Sequence, residues 1–160
     1  MKKLFISILI IIVGFVALHM YDKTKPISIE TIQRYDESVT EILHEEKNDV
    51  LDMNIVLYKN AQDNVCMMGL QNKKMVIASY NNQTHSQDLN IYSFSHDDQT
   101  AGIIFGENSH KQKHITYHVD SSNLNTDIAA TTKTISIDPD KPYILEFIFV
   151  DGVDHMLTLQ

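Results

Sequence analysis

Residues 143–152 read YILEFIFVDG, and the fold class turns on how this stretch is read. Apart from Glu146, residues 143–150 are apolar at odd and even positions alike. Eight residues are too few for a typical globular helix, and the aromatic and β-branched content favours a strand covered on both faces. The pattern predicts a strand at the centre of a sheet. Asp151-Gly152 follows as a hairpin signal, so the apolar run at 156–159 is expected to pair back onto it.

Working back towards the start, the same kind of segment recurs. Leu51, Met53, Ile55 and Leu57 alternate with their neighbours, and further β-type runs stand at 65–70, 75–80, 89–94, 102–105, 115–119 and 134–137. Polar turns at 60–64, 71–74, 81–88, 121–126 and 138–142 separate them, and the piece at 81–88 reads as the most flexible of these. Ahead of the strands, Ser28 is placed to cap a helix, and Ile29, Ile32, Val39, Ile42 and Leu43 recur at helical spacing opposite a charged face. The expected fold is α+β: one amphipathic helix packed on a mainly antiparallel sheet, or a partly open barrel, of about eight strands.

Residues 4–18, LFISILIIIVGFVAL, carry no charge and follow Lys2 and Lys3. As a helix running on to about residue 21 they would extend roughly 27 Å, close to the roughly 30 Å of a hydrocarbon core. No pair of small residues offers a signal cleavage site after them. They predict an uncleaved N-terminal transmembrane helix, a signal anchor, with the basic flank inside. The expected organisation is a membrane anchor at 1–21, a linker at 22–26 and an extracytoplasmic α+β domain at 27–160. That places the chain in a cytoplasmic membrane as a single-pass protein with its C-terminal domain outside. Its expected partners are the membrane, through residues 4–21, and another envelope protein.

The order of segments carries a resemblance. A lysine-flanked apolar segment, ILHEE at 42–46, VLYKN at 56–60, MMGLQNKK at 67–74, AGIIFGEN at 101–108, then ITYHV and YILEFIFVDG resemble small membrane-anchored extracytoplasmic proteins of Bacillus-type bacteria with no assigned function. The resemblance spans most of the chain, although this chain has no tryptophan. It implies location and architecture and no catalytic residue.

Composition excludes some function classes. With Lys+Arg 13 against Asp+Glu 21 and a net charge of −8, the chain lacks the cationic patch that nucleic acid requires. The single cysteine, Cys66, forbids an internal disulfide, and in an apolar, Met-rich run it reads as a packed thiol.

Among the eight histidines, His110, His114 and His118 are spaced by four. On a helix they would share one face and could grip a metal ion. The alternation of Ile115, Tyr117 and Val119 predicts a strand instead, with His114 and His118 on one solvent face roughly 13 Å apart, beyond the reach of one zinc ion. These three remain the metal candidates. The acidic turns at His96-Asp97-Asp98 and Asp138–Asp140 lack an ordered calcium loop. Glu146 marks a second candidate as the one charge in an apolar strand. No nucleophile-elbow, phosphate-loop or metalloprotease motif occurs, and no cofactor is expected. The resulting expectation is a non-catalytic binding or interaction module at the cell envelope; the alternative is a metal-binding or hydrolytic domain using His, Asp and Glu side chains.

Overall fold

The computed structural model describes residues 10–14, 25–80, 88–121, 131–153 and 155–160. Strand makes up 62% of them and helix 8%, so the fold is mostly β rather than α+β. Two short helical stretches, 10–14 (α1) and Ile29–Gln33 (α2), accompany ten strands. These are β1 (Val39–Asn48), β2 (Met53–Asn60), β3 (Val65–Gln71), β4 (Lys74–Tyr80), β5 (Leu89–His96), β6 (Gln99–Glu107), β7 (His114–Ser121), β8 (Thr131–Ser136), β9 (Tyr143–Asp151) and β10 (His155–Leu159). They form three antiparallel sheets, ordered β1-β2-β3-β4, β5-β6-β9 and β10-β7-β8, and among the described residues no barrel closes.

The sheets stack because their strands are apolar on both sides. In β2, Met53, Ile55 and Leu57 face the second sheet and meet Ile103 and Phe105 of β6. Val56 and Tyr58 face the other way, where Ile27 and Ile32 cover them. In the second sheet, Ile104, Ile144 and Ile148 turn to the third and pack on Ile115, Tyr117 and Leu157. The order of layers is thus α2, first sheet, second sheet, third sheet. Lys59 on β2 ties two of them at the rim. It lies 2.9 Å from Asp63 and 3.2 Å from Glu107 at the end of β6, and these carboxylates, Asp63 first, hold its ammonium well above the usual lysine range.

The long amphipathic helix does not form. α2 stops at Gln33, and Val39, Ile42 and Leu43 belong to β1. The register of β1 against β2 shifts between Val39 and Glu41 and again between Ile42 and His44. Each such bulge adds a residue to one strand, so Val39 and Ile42, three apart, face the same core. A strand bulged in this way imitates helical spacing. Between helix and strand, Asp36 Oδ1 accepts bonds from the Ser38 amide (2.9 Å) and hydroxyl (2.5 Å), and Oδ2 accepts one from Tyr58 Oη at 2.8 Å.

Burial raises the Asp36 carboxyl, but the bonds from Ser38 and Tyr58 together outweigh it and hold the group below the ordinary aspartate value. A depressed folded-state value contributes stability above the unfolded value of about 3.9, which is lost as pH falls through the lower, folded one. We expect the urea midpoint to drop between about pH 5 and pH 2, and to drop less in Asp36→Asn. Equal drops would dissociate Asp36 from acid sensitivity.

The last strands also depart from expectation. Although both faces of β9 are covered, it lies at the end of its sheet, and the central strand is β6, paired with β5 and β9. Asp151-Gly152 is no hairpin. Gly152, at φ 93°, forms a parallel bridge to Gln99, the chain passes to the third sheet, and β10 pairs with β7 rather than β9.

The membrane reading is corrected as well. The described part of the apolar segment, 10–14, is five helical residues, about 7.5 Å long, and among the described residues no helix is long and apolar enough to cross a membrane. The transmembrane helix, the signal anchor and the single-pass location are therefore withdrawn. The rest of residues 4–21, most of the 22–26 linker, the loop positions 81–87 and the turn positions 122–126 lie outside the described residues.

Candidate functional site

The polar side chains that could recognise a partner gather on the third sheet and the loops at one end of it. Along β7, Ile115, Tyr117 and Val119 are buried while His114, Thr116 and His118 face outward. Each meets a hydroxyl of β8 across the pair. His114 Nδ1 lies 3.3 Å from Ser136 Oγ, Thr116 Oγ1 lies 3.3 Å from Thr134 Oγ1, and His118 Nδ1 lies 2.9 Å from Thr132 Oγ1. Three such cross-strand contacts make a hydroxyl-rich outer face. His114→Ala should change stability by less than about 0.5 kcal/mol, since the ring is exposed and loses one solvent-accessible contact. A urea melt showing a loss well above that would place the ring in the core.

The three candidate histidines are not brought together. His110 lies in the turn before β7, with Nε2 3.5 Å from Asp88 Oδ2, whereas His114 and His118 pair with opposite ends of β8. Among the described residues no three His, Cys, Asp or Glu side chains come together to hold a metal ion. The other candidates have local partners. His96 Nε2 lies 3.2 Å from the Val50 carbonyl, and Asp138 Oδ1 accepts a bond from the Asp140 amide at 3.0 Å. Cys66 is fully buried. Glu146 is half-buried on β9 opposite Ile104.

Asp88 and Ser109 carry no signal in the sequence and are neighbours only in space. The Ser109 hydroxyl donates to Asp88 Oδ2, the same oxygen that faces His110. These are the residue types of a hydrolytic relay in the wrong order, for a relay needs the imidazole between hydroxyl and carboxylate. Here the carboxylate sits between the other two, so the trio secures a loop. Asn108, buried in that loop, donates to the Pro139 carbonyl at 3.4 Å and accepts from the Gln112 amide at 2.7 Å. It joins residues 108–112 to the turn before β9.

Two further features belong to the third sheet. At its end, where the start of β5 meets the start of β7, lies a cleft of about 330 Å³. Along its side, β8 is paired with no strand but β7 among the described residues, and all of its side chains but Ile135 are exposed. β8 contains no proline and its register against β7 is unbroken. The end strands of the first sheet differ. β1 carries two register shifts and three glutamates, and β4 is irregular at Val76, where its pairing with Gly69 and Leu70 skips a residue.

Comparison with family models, with curated proteins and with solved structures finds no match to this chain. Functional inference therefore rests on these side chains and edges.

Proposed function

We propose that this chain is a non-catalytic binding module that takes up an extended protein segment by strand addition along β8. The observation that carries the proposal is the regular, proline-free outer edge of β8 over residues 132–136, which holds one charge, Lys133, and no second strand among the described residues. Such an edge presents a row of main-chain donors and acceptors, and sheets usually blunt their edges with bulges, proline or charge. In strand addition the main chain supplies affinity, and alternate side chains supply selectivity. On β8 those are Thr132, Thr134 and Ser136 on the outer face, with Lys133 and Ile135 on the other.

The test begins with hydrogen exchange on the free protein, which identifies the fast amides of β8, those directed away from β7. A variant with proline at one of these positions blocks the edge without removing a bond to β7. A displayed library of random hexapeptides is then selected on the wild type and on the variant. Enriched peptides should bind the variant at least about tenfold more weakly, a difference of about 1.4 kcal/mol, and should slow exchange at the fast amides. No enrichment, or equal binding to both proteins, would count decisively against strand addition.

A further inference from the structure

The cleft at the end of the third sheet is a separate feature from the β8 edge, and we propose that it binds a small neutral polyhydroxyl molecule of monosaccharide size. Its volume of about 330 Å³ lies at the lower end of the range for ligand sites. The wall combines two chemistries. Leu89, Ile115 and Leu159 supply apolar surface, of which Leu89 and Ile115 belong to the core between the second and third sheets. Asp88, Gln112, His114, Thr116 and Gln160 supply the polar groups.

The first three keep capacity to spare. Asp88 uses Oδ2 for Ser109 and His110, and among the described residues no donor takes Oδ1. His114 meets Ser136 through Nδ1, leaving Nε2 directed elsewhere. Gln112 is held by its main-chain amide, and its side-chain carboxamide has no partner among the described residues.

The mixture selects a ligand class. A carboxamide and an imidazole each donate and accept, while a carboxylate only accepts. A hydroxyl also does both, so a ring of hydroxyls can satisfy all three groups, with its C–H face on the leucines and isoleucine. An anion would meet Asp88 with no lysine or arginine in the wall. A small cation would find one carboxylate side chain in the wall, already shared with Ser109 and beside His110. Neither fits the wall as a neutral polyol does.

The proposal is tested by carbon–proton correlation NMR of the intact chain. It is titrated separately with glucose, galactose, mannose and N-acetylglucosamine, then with inorganic phosphate and methylamine. At least one sugar should give saturable shifts at the His114 ring and the Leu89 and Leu159 methyls. Gln112→Leu and Asp88→Asn should each weaken it by about three- to tenfold, the effect of one lost hydrogen bond. Unchanged β7 and β8 amide positions in at least one of the two variants show that the loss is local. The proposal is overturned if no sugar saturates, if phosphate or methylamine binds more tightly, or if a folded variant keeps wild-type affinity.

Discussion

Phe105→Ala should destabilise the protein by about 3–5 kcal/mol, the usual range for a fully buried phenylalanine, a large part of the stability of a typical domain. Phe105 has no exposed surface, lies on the central strand of the middle sheet and packs between the first and second sheets with Leu57 and Met67. Its neighbours in register are Asn90 on one side and Leu145 on the other. Paired strands hold it on both sides and another sheet lies above it, so the surroundings have little freedom to collapse into the space. Phe147, from the stretch that first suggested the fold, provides the contrast. It is half-buried on β9, at the end of the same sheet, and packs at the border of the same cluster. Phe147→Ala should cost under about 2 kcal/mol, because it removes less buried surface and leaves a space that solvent can reach. Urea melts of the two variants check the order of the strands. Equal losses, or a larger loss for Phe147, would mean that β6 is not the centre.

Gly106→Ala should cost about 3 kcal/mol or more through a different mechanism. Gly106 closes β6 at φ 150°, where side chains are disfavoured, and a Cβ there would stand 2.0 Å from the main-chain oxygen of Asp88. That oxygen accepts the Glu107 amide at 3.1 Å, so relief would require β5 and β6 to part at the end of their ladder. Backbone strain of this kind costs on the order of 1–3 kcal/mol by itself, and the steric overlap adds to it. Gly102 supplies the comparison. A Cβ at Gly102 would lie 2.5 Å from Leu157 Cδ1, the end of a flexible side chain that can turn aside. Gly102→Ala should therefore be tolerated better than Gly106→Ala. The measurement is the thermal midpoint of both variants, with hydrogen exchange at Asp88 and Leu89. Equal shifts in midpoint, or no change in exchange there, would sink the argument from the main-chain clash.

The behaviour of particular strands shows what a linear reading can reach. The alternation of Ile115, Tyr117 and Val119 was enough to place β7 as a strand with His114 and His118 outward, because alternation is a property of the chain's own geometry. The same logic misreads β1. Its bulges depend on how β2 pairs with it, so Val39 and Ile42 imitate a helix stripe. It also misjudges β9, for apolar residues on both faces report sheets above and below and say nothing about neighbours to left and right. The cleft was illegible for a similar reason, since Asp88, Gln112 and Leu159 lie far apart in sequence and meet only when the second and third sheets stack.

By itself the sequence determined short β-type runs between polar turns, an acidic balance, no internal disulfide and no common catalytic motif, but its α+β reading is corrected to mostly β. Those properties follow from residue counts and from side-chain periodicity along a few neighbouring residues. Tertiary structure alone decided the division into three sheets, the central place of β6, the passage of β10 onto β7, the place of β8 at the end of its sheet and the cleft beside Asp88. Each of these depends on which strands pair across tens of residues. That choice is set by the total apolar surface the stacked sheets remove from water, a sum over the whole chain that no local pattern records.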